Sequence, residues 1–266
     1  TKLAGKHRLR PGTAFDLATG WNFTSRKDQQ DAWKVLQKEK PALIILSPPC
    51  TARSRIRSLS DFKRDPATVS AERESTRRHV DFCAKLARWQ YRAGRGFLFE
   101  RPKGTGELEE KELQSLIRLP GVQVVGVDMC EHGLRLVLSN GSQSDLVQKG
   151  TVLITNVPGI AEATARKCSR NHKHHVLEGS TNTRAAAEYC SGFLDAVLGG
   201  LKKSLKRREV LGGFRDDHEF LLEPSSPAYS EGVNLGDYAA GRAELYMMEL
   251  VTSEAYMITW EAALEQ

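Results

Sequence analysis

Short apolar runs alternate with amphipathic stretches over the first 210 residues of the chain. The runs have the length and β-branched character of strands, and they cover residues 13–17, 42–46, 97–99 and 122–127. Between them, apolar residues recur at helical spacing over residues 28–40 and 68–93, and a further helix is predicted over residues 182–205. This alternation predicts βαβ units, and therefore an α/β domain on a mostly parallel, doubly wound sheet.

The run at residues 42–46 ends abruptly at two prolines, and Cys50 follows them. Pro48 and Pro49 cannot continue a hydrogen-bonded ladder, so we expect a stiff loop at the carboxyl end of this strand. Ligands and reacting groups of open α/β sheets collect at that edge, which makes Cys50 a candidate nucleophile. The alternative is a half-buried structural thiol beside a rigid turn.

A second strand shares this design, because residues 97–99 are followed by Glu100, Arg101 and Pro102. One predicted helix separates the two strands, and a right-handed crossover commonly makes such strands parallel neighbours. Cys50 and Glu100 would then share one edge of the sheet. A carboxylate there can hold or pass a proton of a polar substrate, whereas the alternative is a plain contact with Arg101 or a helix N-terminus.

Charge is distributed unevenly between the two parts of the chain. Residues 1–200 hold 32 Lys and Arg against 21 Asp and Glu, whereas residues 201–266 hold 7 against 12. A basic body of this kind is suited to a polyanion, so we expect DNA as a partner, with RNA also open. Arg53, Arg55 and Arg57 are candidate phosphate contacts, or else part of a solvated surface loop.

Cysteine content and hydropathy narrow the cellular setting. The five cysteines are odd in number and scattered, which is typical of reduced thiols or a metal site rather than of disulfides. No apolar run approaches the roughly 20 residues that a membrane span needs. We therefore expect a nuclear or cytoplasmic protein without a membrane partner.

Residues 156–181 form a small Cys/His-rich insert with the donor atoms of a metal site. Cys168, His172 and His174 lie within seven residues, and Cys130 or His132 can supply a fourth ligand. Thiolates and imidazoles are the usual ligands of tetrahedral zinc, so zinc is a candidate cofactor. The alternative is a basic loop that contacts phosphate or water.

The sequence changes character after residue 208, where the α/β domain of residues 1–208 is predicted to end. Residues 212–237 are rich in glycine, proline and serine, as is typical of a linker. Residues 239–264 have apolar positions that predict one or two amphipathic helices. We therefore expect residues 209–266 to be a linker and a helical, acidic extension, which either binds a protein partner or packs back on the domain.

Several phrases of the sequence resemble the DNA cytosine-5 methyltransferases. The Ser-Pro-Pro-Cys phrase ending at Cys50 resembles the family's Pro-Cys motif, and the strand ending at Glu100 resembles its Glu-Asn-Val strand. Asp16 resembles the acidic residue that contacts the adenine of S-adenosylmethionine, and Arg135 follows a strand and turn like those before the Gln-x-Arg-x-Arg hairpin. The likeness covers residues 13–205 and is closer still to methyltransferase-like segments of eukaryotic retroelement polyproteins.

The resemblance implies a Rossmann-like, class I methyltransferase that methylates carbon 5 of cytosine in DNA with S-adenosylmethionine as cofactor. In that family a cysteine thiolate, here Cys50, adds to carbon 6 of a flipped-out cytosine, while a glutamate, here Glu100, hydrogen-bonds ring N3. The resemblance also implies sites for cofactor and nucleic acid. The cofactor residues would be Asp16, Pro48 and Pro49, and the nucleic-acid contacts would be Arg53, Arg55, Arg57, Arg101 and Arg135.

One feature of the sequence departs from the family. Fifteen residues precede Asp16, too few for the family's glycine-rich first strand, so we expect an incomplete sheet: a fragment, a lost half-site, or a site completed by another subunit.

An alternative function is a catalytically silent nucleic-acid-binding module of a mobile-element protein. Amino-group methyltransferases, a further rival, carry an aromatic residue where this chain has Cys50.

Overall fold

The computed structural model describes residues 2–49, 61–104, 111–177, 185–210, 245–250 and 257–260. The helices are α1 (Lys2–Lys6), α2 (Arg26–Glu39), α3 (Pro66–Arg92), α4 (Lys111–Ile117), α5 (Pro158–Thr164) and α6 (Ser191–Val210). The strands are β1 (Leu43–Leu46), β2 (Gly96–Pro102), β3 (Gln123–Asp128), β4 (Gly150–Thr155), β5 (Leu245–Leu250) and β6 (Met257–Trp260). The helices predicted over residues 28–40 and 68–93 and the three strands predicted between residues 42 and 127 are confirmed.

Capping residues set the ends of the two long helices that flank β1. The Ser25 side chain accepts a hydrogen bond from the backbone N–H of Asp28 at the start of α2, and Lys40 ends that helix with a φ of 46°. Asp65 caps α3, whose first residue is Pro66. Because α2 ends so sharply, the chain enters β1 three residues later and the βα order follows from local signals.

The sheet has the strand order β3-β4-β2-β1-β5-β6. β1 and β2 are parallel, with Leu43 level with Gly96 and Leu46 level with Phe99. β4 is antiparallel to both β2 and β3, so β1, β2 and β3 all run in one direction. The carboxyl ends of these three strands therefore lie at the same edge as the amino end of β4.

The prediction of a mostly parallel sheet is wrong, because among β1 to β4 one pair is parallel and two pairs are antiparallel. A parallel connection needs a crossover of a dozen or more residues, usually helical. Between β3 and β4 the chain instead makes a 3₁₀ turn, Met129–His132, and a loop closed by a bridge between Val137 and Gln143. The chain therefore returns antiparallel, next to β3.

Two other predicted elements are also corrected. Residues 13–16 are not a strand and instead lead into a 3₁₀ turn, Leu17–Thr19. The Asp16 side chain accepts a hydrogen bond from the backbone of that turn, which favours the turn over strand pairing. In the predicted helical extension, Leu245–Leu250 and Met257–Trp260 are strands. The apolar residues of these short runs fit a helical and a strand period equally well. β5 is a strand because it pairs with the edge of β1.

Hydrophobic cores cover both faces of the sheet, which confirms an α/β fold. On one face Ile44 and Phe97 pack with α2 and α3, and on the other Ile45 and Leu98 pack with α5 and α6. Successive residues of β2 therefore face opposite cores. Among the described residues no helix is long and apolar enough to cross a membrane.

Candidate functional site

The end of β1 lies beside Glu100, two residues before the end of β2. Since Leu46 is level with Phe99, Ser47 is level with Glu100, which still pairs with β4. Ser47 and Pro48 are buried, and Pro49 is half-buried. The prediction that β1 and β2 are parallel neighbours is confirmed. The shared edge of Cys50 and Glu100 stays a prediction. Cys50, Arg53, Arg55 and Arg57 lie outside the described residues.

Glu100 is a buried carboxylate at this edge, with 7% of its surface exposed. Its Oε1 lies 3.8 Å from Nζ of Lys149, beyond hydrogen-bond distance, and has no hydrogen-bond donor within the described part of the chain. A buried carboxylate oxygen is costly without a donor. The alternative of a plain Glu100–Arg101 pair is not what the structure shows, and the Glu100 oxygen can accept a bond from a ligand.

Lys149 and Tyr189 complete the edge, and sequence reasoning missed both. The hydroxyls of Tyr189 and Ser47 are hydrogen-bonded, and Nζ of Lys149 lies 6.0 Å from the centroid of the Tyr189 ring. Lys149 immediately precedes β4, so its place beside Glu100 depends on the insertion of β4 next to β2. No local sequence pattern predicts that β4 inserts beside β2. The lone lysine just before a β-branched run was a weak signal for the position of Lys149.

Arg101 does not lie where a nucleic-acid contact was predicted. It is 1% exposed and faces α3, opposite to Glu100, because neighbouring strand residues point to opposite sides of a sheet. Its charge there acts on His79 and Cys83 of α3. The predicted phosphate contact of Arg101 has no support from this buried position and stays a prediction.

Asp16 is 3% exposed and caps the 3₁₀ turn Leu17–Thr19. Its Oδ1 accepts a hydrogen bond of 2.6 Å from the backbone N–H of Ala18. The carboxylate predicted to contact adenine is therefore occupied with its own backbone. The contact of Asp16 with S-adenosylmethionine therefore stays a prediction.

Arg135 is exposed, in the loop between β3 and β4. Its Nη1 donates to the backbone oxygen of Ser144 at 2.7 Å, across the loop. The remaining donors of this guanidinium stay on the surface, so the position is compatible with the predicted phosphate contact.

Four predicted metal ligands meet beside the end of β3. Cys130 lies in the 3₁₀ turn that follows β3, and Cys168, His172 and His174 lie in the segment after α5. One donor atom from each of the four lies within 4.8 Å of all the others, a spacing that can hold a metal ion. His132, the other candidate for the fourth ligand, instead bonds the Thr164 backbone oxygen at 3.2 Å and packs on Phe193.

The distances within this cluster are close to those of a tetrahedral site. Nε2 of His172 and Nε2 of His174 are 3.0 Å apart, and the Cys168 sulfur lies 3.7 Å and 3.4 Å from them. Zinc bonds of about 2.05 Å to nitrogen and about 2.3 Å to sulfur at tetrahedral angles give about 3.3 Å and about 3.6 Å for these pairs. For these three ligands a shift of a few tenths of an ångström would reach the tetrahedral distances.

Hydrogen bonds around the cluster orient its ligands. Nδ1 of His172 lies 3.0 Å from Oδ1 of Asn171, which leaves Nε2 to face the cluster. Asp128, the last residue of β3, accepts from the backbone N–H of Cys168 at 2.9 Å. Glu131 accepts from the backbone and hydroxyl of Ser169. The ligand segment is thus fastened to the end of β3.

Burial raises the pKa of the Cys130 thiol to about 12, and the hydrogen bond with Cys168 adds to the shift. The buried thiol is therefore protonated at neutral pH when no cation is bound. A bound divalent cation reverses this preference, because it stabilises the thiolate directly.

Comparison of the chain with known protein families, with curated proteins and with solved structures gives no match in any of the three.

Proposed function

We propose that the sheet edge carrying Ser47 and Glu100 is the active site of an enzyme that methylates carbon 5 of cytosine in DNA. The parallel register of β1 and β2 carries the proposal, because it brings the residue after β1 level with Glu100. In the sequence, Cys50 follows Ser47 by three residues.

The chemistry needs a nucleophile and an acid at one edge. The Cys50 thiolate adds to carbon 6 of cytosine, and the electron pair of the C5–C6 double bond shifts to make carbon 5 nucleophilic. Glu100 holds ring N3 by a hydrogen bond during this step. Carbon 5 then takes a methyl group, and loss of its proton with departure of the thiolate restores the double bond.

The methyl donor implied by the resemblance is S-adenosylmethionine, which supplies an electrophilic methyl group. Pro48 and Pro49 flank the edge where it would bind, but the engagement of Asp16 in its own turn does not favour the contact carried over to it. The proposal therefore depends on the nucleophile and the acid, and not on Asp16.

Covalent trapping tests this function. 5-Fluorocytosine in duplex DNA blocks the final proton loss, so with S-adenosylmethionine present we expect a protein–DNA adduct by mass spectrometry. Cys50→Ser should give none, and Glu100→Gln should form it at least about 100-fold more slowly. Cys83→Ala, which removes a buried thiol of α3 itself, is the control and should behave as wild type.

A second candidate function is nucleic-acid binding without catalysis. The hydrogen bond between the Asp16 carboxylate and its own turn favours it, because that bond does not favour a cofactor contact. Its outcome in the trapping experiment is distinct: no adduct and no cofactor binding, with DNA binding retained. An adduct that forms equally with Cys50→Ser would contradict the catalytic proposal in a different way, by assigning another nucleophile.

We further propose that Cys130, Cys168, His172 and His174 bind zinc. The donor set and the ligand distances support this metal. Native mass spectrometry should show one zinc per chain in the wild type and none in Cys168→Ser. Cys190→Ser is the control, because the Cys190 sulfur donates to the His132 backbone and lies outside the cluster. Full zinc occupancy in Cys168→Ser, or none in the wild type, would refute the assignment.

A further inference from the structure

We infer that the surface of the metal segment, residues 166–175, binds the phosphodiester backbone of nucleic acid. This surface is separate from the sheet edge. The inference rests on the proposed zinc binding and holds for either of the two candidate functions.

The segment carries an unusual run of cations. Arg166, Lys167, Arg170 and Lys173 are all exposed, and residues 163–177 contain no Asp or Glu. Within the part of the chain that the structure describes, none of the four forms an ion pair. The Arg166 guanidinium bonds only a backbone oxygen, that of Glu131.

Several other surface cations are paired with acids. Lys27 and Lys34 both pair with Asp31 on α2, and Lys203 and Arg207 both pair with Glu162. Charges that are already paired contribute little to a polyanion contact. The metal segment is thus a place where positive charge remains available.

Binding of a metal ion by the segment would direct the side chains of Arg170 and Lys173 toward solvent. The ligand atoms of Cys168, His172 and His174 converge on one point, so the residues between them must face away from it. Arg170 turns the chain with a φ of 58°, and Lys173 lies between two ligands. A bound ion would fix both cations in place, which lowers the entropy lost when they contact phosphate.

The neighbouring acids are largely engaged inside the segment. Asp128 accepts from Cys168, and Glu131 accepts from Ser169, so both carboxylates hold backbone groups. Asp145 is exposed nearby and offsets one charge. Arg135 offsets the charge of Asp145 in turn. Its side chain bonds across the loop that pairs with the segment through Leu146 and His174, so Arg135 lies near the segment.

A phosphodiester backbone is the partner that this chemistry fits. Unpaired Arg and Lys side chains contact phosphate through charge, without reading bases, and such binding weakens steeply as salt rises. Each phosphate contact adds about 0.9 to the slope of log affinity against log salt for duplex DNA.

Fluorescence anisotropy with the zinc-loaded full chain and a labelled 20-base-pair duplex tests the inference. Arg170→Gln with Lys173→Gln should lower affinity about tenfold and reduce the salt slope by about 2. Lys27→Gln with Lys34→Gln is the matched control, because it removes the same charge from α2, and we expect less than a twofold change. Duplex RNA should show the same order, since the contacts are to phosphate.

Equal affinity and slope for the two double variants would overturn the inference. Zinc content, measured on each variant, separates this failure from others. If the wild type binds no zinc, the metal proposal fails and this inference fails with it, whereas equal affinity of the two zinc-loaded double variants refutes this inference alone. The trapping experiment reports on the sheet edge alone, so its failure leaves this result intact.

Discussion

His79 is held neutral between α3 and β2. Burial, with a smaller contribution from the charge of Arg101, lowers the pKa of His79 to about 4, against an ordinary value of 6.5. As pH falls, the unfolded chain therefore takes up this proton before the folded protein does. The stability that depends on a neutral His79 is complete above pH 6.5 and is lost between pH 6.5 and pH 4.

Replacement of His79 by glutamine should remove this pH dependence. A shift of this size corresponds to about 3 kcal/mol in the free energy of unfolding. Urea titrations of wild type and His79→Gln at pH 7.5, 6, 5 and 4 measure it. We expect the wild type to lose about that much more stability than the variant over this range. Parallel curves for the two proteins would contradict a neutral buried histidine.

Residue identity predicted the cluster of possible metal ligands better than the residues of the sheet edge. Cys168, His172 and His174 are close in sequence, so their chemistry was visible before any fold was known. Glu100 and Arg101 are adjacent, yet one faces the edge and the other lies under α3. The pleat separates them, and no property of the two residues alone tells which one takes which face.

At the scale of elements, α5 and α6 approach each other closely at a pair of glycines. A β-carbon on Gly200 would lie 2.3 Å from the backbone oxygen of Gly159, and one on Gly159 would lie 2.2 Å from the oxygen of Gly200. These two helices can pack at this distance only because both positions lack a side chain.

Gly200→Ala should therefore destabilise the protein by at least about 2 kcal/mol, through overlap with backbone that cannot move alone. Gly199→Ala is a neighbouring control, because a β-carbon there meets nothing within 4 Å. By helix propensity it should stabilise the protein by about 0.5 to 1 kcal/mol. Thermal unfolding of both variants measures the difference, and equal shifts would mean that the helices separate at little cost.

Elements with a strong period of their own were predicted correctly, and those placed by distant partners were not. α2 and α3 have apolar stripes and caps within their own sequences. β4 runs antiparallel because of how the chain returns after β3, and β5 is a strand because β1 offers it an edge. Tertiary context decided these elements, and a local window does not contain it.

At the scale of the whole molecule, the α/β class and the parallel pairing of β1 and β2 followed from the sequence. What did not follow was the meeting of three distant segments at the sheet edge: the ends of β1 and β2, Lys149 before β4, and Tyr189 before α6. Their contacts span up to 142 positions in the sequence. Such contacts depend on strand order, which the pattern of apolar residues leaves open.

The reversed strand β4 sets a distance between the two proposed sites. The ends of β2 and β3 lie level across it, with Pro102 opposite Thr151 and Asp128 opposite Gly150. Asp128, the anchor of the metal segment, lies two strand spacings across the sheet from Glu100 and three residues further along it, a separation of about 14 Å. Since stacked bases rise about 3.4 Å, that span corresponds to about four base pairs of duplex. With both proposals in place, a phosphate bound at the metal segment determines which base, counted along the DNA strand, can reach the Glu100 carboxylate.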